Sequence, residues 1–187
     1  MEVLDALDRA AVVTSTVVNG IRADQLSAQT PCTEWDVRSL MSHMAGVCNF
    51  FAAVASREPA DRPQPGLAEG ASRDDAVNKV ATAARPAADS WRKPGALDGA
   101  CQLPPGEMPR QMAVGINLID LYGHTWDLAK ATGQQLPEDP ELVSAVWSFA
   151  QQIVPGTRQR GAFAAEITVG AEASEMDRLV GFLGRQP

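Results

Sequence analysis

With 187 residues and 45 % apolar side chains, the chain has material for one domain, residues 1–187, with a sizeable core. A net charge of -7, with Lys and Arg scattered, argues against nucleic acid and anionic membrane as main partners. Cys32, Cys48 and Cys101 are odd in number and form no CxxC, which excludes a disulfide framework or structural zinc site and points to a reducing cytoplasm.

The N-terminus, "MEVLDALDRAAVV", carries acids early and no basic region, so no secretory signal is expected. No apolar stretch approaches the roughly 20 residues of a membrane span. A first helix is predicted over about Glu2 to Ile21, with Val3, Leu4, Leu7, Ala11 and Val18 on one stripe.

The second helix lies in "TPCTEWDVRSLMSHMAGVCNFFAAVASREP". Thr33 is its expected cap, Asp36 the reciprocal capping-box residue, and Cys32 with Val37 the staple. Val37, Leu40, Met41, Met44, Val47, Phe51 and Val54 make its apolar face. A Pro- and Gly-rich loop follows, and Ser72 with Asp75 opens a third helix over Arg73 to Trp91. Pro86 is expected to kink or shorten it.

The long connection "KPGALDGACQLPPGEMP" holds an extended piece around Ala100 to Leu103 and suits a wall or lid of a site. A fourth helix runs from about Pro109 to Ala131, with Gly133 as a left-handed cap. A fifth starts near Pro140. "AFAAEITV" reads as a short strand or extended tail, and "SEMDRLVGFLG" as a short closing helix. The sum is an all-α, up-and-down four-helix bundle with an extra helix and a short C-terminal appendage.

The chain has two histidines, both inside apolar helices. Burying such a group without a partner is costly. Asp120 and His124 are four residues apart, so they project from one helix face and aim at one point. A carboxylate and an imidazole suit a divalent ion such as Zn, Ni or Fe. His43, on the second helix, supplies a third ligand if the second and fourth helices are neighbours. Three protein ligands leave positions open for water or substrate. A buried Asp-His hydrogen bond without metal satisfies the Asp120/His124 pair equally well on spacing alone. Asp127 lies near the same face, either orienting a ligand or substrate or pairing with Lys130 or Arg38. Trp35 and Trp126 read as core or wall residues. The three cysteines read as structural, and Tyr122 points away from the Asp120/His124 face. There is no GxSxG elbow, GxGxxG or phosphate loop.

"TPCTEWDVRSLMSHMAGV", "DLYGHTWDLAKATGQ" and the ending "DRLVGFLGRQP" resemble the DinB/YfiT-like metal-binding superfamily. More narrowly, they resemble the branch related to the N-terminal domain of mycothiol-dependent maleylpyruvate isomerase. The resemblance implies a DinB-like bundle that binds a divalent metal through His43, Asp120 and His124, with Zn expected first. The isomerase-like pattern has glutamate where this chain has Asp120. It also carries a further α+β domain, for which the roughly thirty residues after the fifth helix are too few. The function implied is a metal-dependent enzyme that activates a low-molecular-weight thiol, mycothiol or a relative, for S-transfer to or isomerisation of a small electrophile. The alternative is a non-catalytic metal-binding or stress-response bundle. The expected partners are the thiol and a small-molecule substrate, with a homodimer as the assembly.

Overall fold

The computed structural model describes residues 1–60, 62–104, 106–159 and 163–187. Among them are six α-helices and one two-stranded hairpin. The bundle proper consists of α1 (Val3–Gly20), α2 (Val37–Ala55), α3 (Arg73–Trp91) and α4 (Arg110–Thr132). Then come α5 (Pro140–Arg158) and α6 (Glu175–Phe182). β1 (Ala100–Leu103) pairs antiparallel with β2 (Gly106–Pro109). The extended piece expected at Ala100 to Leu103 is thus one arm of this hairpin. The stretch 163–169 is irregular, and Ala162, which begins the expected extended tail, lies outside the described residues.

Local signals set most helix ends. Ser72 and Asp75 form the expected reciprocal box, with Asp75 N donating to Ser72 Oγ at 3.1 Å. Pro86 stays inside α3, which runs on to Trp91. Gly133 closes α4 at φ 68°, a conformation that penalises any side chain with a Cβ. At α2 the expectation is corrected. Asp36, not Thr33, is the cap, and its carboxylate accepts from Ser39 N at 2.8 Å. The reason lies just upstream: Trp35 N donates to Cys32 O and Thr30 N to Trp35 O, so residues 30–35 are held in a turn. The staple expected from Cys32 and Val37 is displaced with the cap.

α1 packs on α3 and α4, and α2 packs on the same two, so the cyclic order is α1, α3, α2, α4. End contacts fix the directions. Arg73 at the start of α3 reaches Asn19 O and Ile21 O at the end of α1, so α1 and α3 are antiparallel. Arg110 at the start of α4 donates to Val54 O and Ala55 O at the end of α2, so α2 and α4 are antiparallel. This buried guanidinium also satisfies carbonyls that the helix end leaves open. Arg38 reaches Ala71 O, and Lys93 reaches Ser56 Oγ, so α2 and α3 run parallel. This refines the up-and-down expectation: direction alternates from α1 to α2 and from α3 to α4, not from α2 to α3.

Parallel neighbours need a return strand of chain, and the Pro- and Gly-rich segment after α2 provides it. It lies back along α2, with Gly66 N donating to Ser42 O at 2.9 Å and Leu67 N to Ser42 Oγ at 3.2 Å. Gly46 makes room for it, because a Cβ there would run into the Gln64 carbonyl. Gly46→Ala is therefore expected to destabilise the fold by ~1–3 kcal/mol, the usual cost of overpacking, read as a fall in Tm.

Leu7, Leu40, Met41, Met44, Trp91, Leu118, Leu121 and Leu128 are among the residues that fill the interior. α5 covers α4 and α1, and α6 packs on α5. Among the described residues no helix is long and apolar enough to cross a membrane.

Candidate metal centre

The antiparallel pairing of α2 and α4 brings the second turn of α2 beside the middle of α4. His43 Nε2 lies 3.4 Å from Asp120 Oδ1, and His124 Nε2 lies 3.6 Å from the same oxygen. The imidazoles meet edge to face, with ring centroids 4.9 Å apart. The three ligand atoms all fall within 4.8 Å of one another. Sequence reasoning thus named three side chains that the fold does bring together.

The spacing is informative. Hydrogen bonds from N–H to oxygen usually span 2.7–3.2 Å, so 3.4 Å is long and 3.6 Å is too long. Two donors each ~2.1 Å from a tetrahedral ion lie about 3.4 Å apart. The His43–Asp120 contact is a long hydrogen bond as it stands, and both separations also suit ligands of a shared cation. The donor set, two imidazole nitrogens and one carboxylate oxygen, suits Zn, Ni or Fe.

The supporting residues fix both rings. Trp35 stacks on His43 with centroids 4.4 Å apart and an angle of 27°. Asp127 Oδ2 accepts from His124 Nδ1 at 2.9 Å. A proton held at Nδ1 leaves the Nε2 lone pair facing Asp120 and His43, the state a metal needs. Asp127 is fully buried and takes a fork from Arg185, with Nε to Oδ1 and Nη2 to Oδ2 both at 2.9 Å. The expected alternative partners of Asp127 are elsewhere: Arg38 turns to Ala71 O, and Lys130 lies over the Trp126 ring.

Charge follows from this geometry. Burial opposes ionisation of Asp127, but His124 and Arg185 outweigh it and hold the carboxyl at about 2. Burial likewise opposes ionisation of Asp120, and the two histidines still bring its pKa down. Burial alone would lower the pKa of His43; the hydrogen bond and charge of Asp120 raise it.

Sequence reasoning missed Arg185 and misjudged Cys32. Gly184, at φ 85°, turns the chain after α6 so that Arg185 reaches back to α4. Cys32, expected as a packing residue, instead lies beside the site and donates to Asp127 Oδ2 at 3.2 Å. Cys32, His124 and Asp127 form a second cluster with metal-ligand spacing. That cluster already holds a cation: Arg185 Nη2 sits 2.9 Å from Asp127, 3.5 Å from His124 Nδ1 and 3.7 Å from Cys32 Sγ. Burial and the Asp127 charge also push the Cys32 thiol up to about 12, against thiolate formation. The His43/Asp120/His124 cluster is the better ligand set. Cys48 is buried in the core, as expected.

Two cavities meet at His43 and Asp120. One, of about 450 Å³, has mixed walls, with Thr33, Glu34 and Arg185 beside Trp35, Phe163 and Leu183. The other, of about 660 Å³, is walled mainly by apolar side chains.

The family model of the mycothiol maleylpyruvate isomerase N-terminal domain matches residues 7–129. An uncharacterized protein of Mycobacterium tuberculosis, found in two strains, is 35 % identical over 190 residues, covering 99 % of this chain and 98 % of its own. Two crystal structures of the mycothiol-dependent maleylpyruvate isomerase share the fold. A histidine-to-alanine mutant aligns with a TM-score of 0.63 at 13 % identity, and a second structure with 0.55 at 15 %. Each alignment covers 89 % of this chain and 74 % of the other. With the family model spanning most of the bundle, the chain belongs to the mycothiol maleylpyruvate isomerase N-terminal domain family.

Proposed function

We propose that this protein is a divalent-metal-dependent enzyme that activates a low-molecular-weight thiol, mycothiol or a relative. The thiol then reacts with a small electrophile, by S-transfer or by isomerisation through a thiol adduct. The single observation that carries the reading is the convergence of His43 Nε2, Asp120 Oδ1 and His124 Nε2, with His124 Nδ1 already engaged by Asp127. Family membership supplies the thiol class.

The three residues would hold the ion, which when bound supplies Lewis acidity that lowers the pKa of a thiol or water. Everything else is done by the chain. Asp127 keeps the His124 proton on Nδ1. Arg185 keeps Asp127 ionised despite its burial. Trp35 keeps the His43 ring in place by stacking. The smaller cavity, with Thr33, Glu34 and Arg185 among its walls, offers hydrogen-bonding groups to a hydrophilic thiol. The reading carries a cytoplasmic location with it, since low-molecular-weight thiols stay reduced there, as do free cysteines such as Cys32, Cys48 and Cys101.

The test is consumption of mycothiol and other low-molecular-weight thiols with a panel of electrophiles, using tag-free protein of known metal content. Turnover is expected only with metal bound and is expected to vanish in Asp120→Asn. Metal-loaded protein inert towards every thiol and electrophile would leave a non-catalytic metal-binding bundle as the answer.

A further inference from the structure

We infer that the cavity of about 660 Å³ on the α5 side of the cluster seats an uncharged, largely hydrocarbon small molecule, and that this is the electrophilic substrate. Its role as substrate rests on the thiol-activation reading above; its capacity to bind an apolar molecule does not.

The walls carry the argument. Val47, Phe50 and Phe51 come from α2, Ile116 and Ile119 from α4, and Ile153 from α5. Five of these six are less than a tenth exposed, so the feature is a recess and not an open face for another protein. Its volume lies within the range of small-molecule sites, roughly 300–1,000 Å³. The polar side chains in the lining are few: His43, Asp120 and Thr157. Such a recess gains free energy by taking apolar surface from water.

An anionic substrate fits it poorly. None of the described lining residues is Lys or Arg, and the Asp120 carboxylate faces the cavity. A carboxylate seated among the apolar walls, away from the ligand cluster, would lose its hydration without a partner. The cationic group of the site, Arg185, lines the smaller cavity instead. His43, Ile119, Asp120 and Phe163 line both cavities. A polar thiol and an apolar electrophile therefore approach the same ligand cluster from two sides.

The experiment is a titration of the protein with naphthalene and, separately, with maleate, following the methyl resonances of Ile116, Ile119 and Ile153. Protein stripped with a chelator and metal-loaded protein are both used. Naphthalene is expected to shift these methyls saturably in both forms, and maleate is expected not to shift them in the stripped form, where no ion offers it a partner. Ile116→Trp, which fills the recess, is expected to weaken naphthalene binding at least tenfold. The inference is overturned if naphthalene gives no saturable shift, if maleate shifts the methyls of the stripped protein, or if folded Ile116→Trp binds naphthalene unchanged. Because the stripped protein reports on the recess alone, failure of the thiol reading shows separately, as absent turnover with naphthalene binding intact.

Discussion

His124→Ala is expected to abolish stoichiometric divalent metal, measured by elemental analysis of tag-free protein. One helix face supplies two of the three ligands, so the variant leaves only His43 and Asp120, on different helices. It also removes the acceptor relationship that orients the pair, since Asp127 then faces no imidazole. Loss of an outer partner of a ligand costs ~10- to 100-fold in metal affinity, and loss of the ligand itself should exceed that. His43→Ala is expected to behave in the same way. Cys32→Ala separates the two overlapping clusters, because Cys32 belongs only to the one that Arg185 fills. Metal retained in Cys32→Ala and lost in His43→Ala assigns the ion to His43, Asp120 and His124. The reverse pattern, or wild-type protein without metal, would sink the assignment.

The clustering of His43, Asp120 and His124 was legible because the relevant geometry is helical. Spacing of four residues places Asp120 and His124 together whatever the tertiary fold, and the wide apolar stripe of α2 forces His43 towards the interior. Local signals also gave Ser72 and Gly133 as helix ends, since each acts within one turn. Thr33 failed as a cap for a reason of the same scale: backbone pairing of Thr30 with Trp35 takes residues 30–35 into a turn, and Asp36 is the first side chain free to cap. Arg185 was of another kind. Its partner lies 58 residues away, and its side chain arrives only after Gly184 bends the tail and α6 docks on α5. No periodicity or spacing encodes such a contact. Nearby Lys130 and Arg38 looked better from the sequence, but one covers Trp126 and the other ties α2 to the start of α3. The parallel run of α2 and α3 was hidden similarly, since the Pro- and Gly-rich composition of the loop between them says nothing of its path back along α2.

Arg185→Ala is expected to cost ~3–5 kcal/mol of stability, the usual result of leaving a buried charge without its partner. Asp127 is fully buried, and with Arg185 gone only His124 and the weak Cys32 donor remain to hold its charge. Arg185→Lys should recover part of the loss, since an ammonium cannot reproduce the two-point fork to Oδ1 and Oδ2. The pH dependence gives a readout that general loosening of the tail would not. In the native protein the Asp127 carboxyl sits at about 2, below its ordinary 3.8. A depressed carboxyl stabilises the fold above its unfolded pKa, and that contribution is lost as pH falls through the folded value. For metal-free wild type the loss from this group therefore falls between about pH 4 and pH 2. Without Arg185 the folded pKa rises towards or past the unfolded one, so the contribution shrinks and the acid limb of Tm against pH moves to higher pH. Acid limbs of the same shape and position in wild type and Arg185→Ala would mean that the guanidinium does not govern Asp127. Since Asp127 holds the His124 proton in place, the same substitution should also weaken metal binding, tying the tail to the centre it reaches.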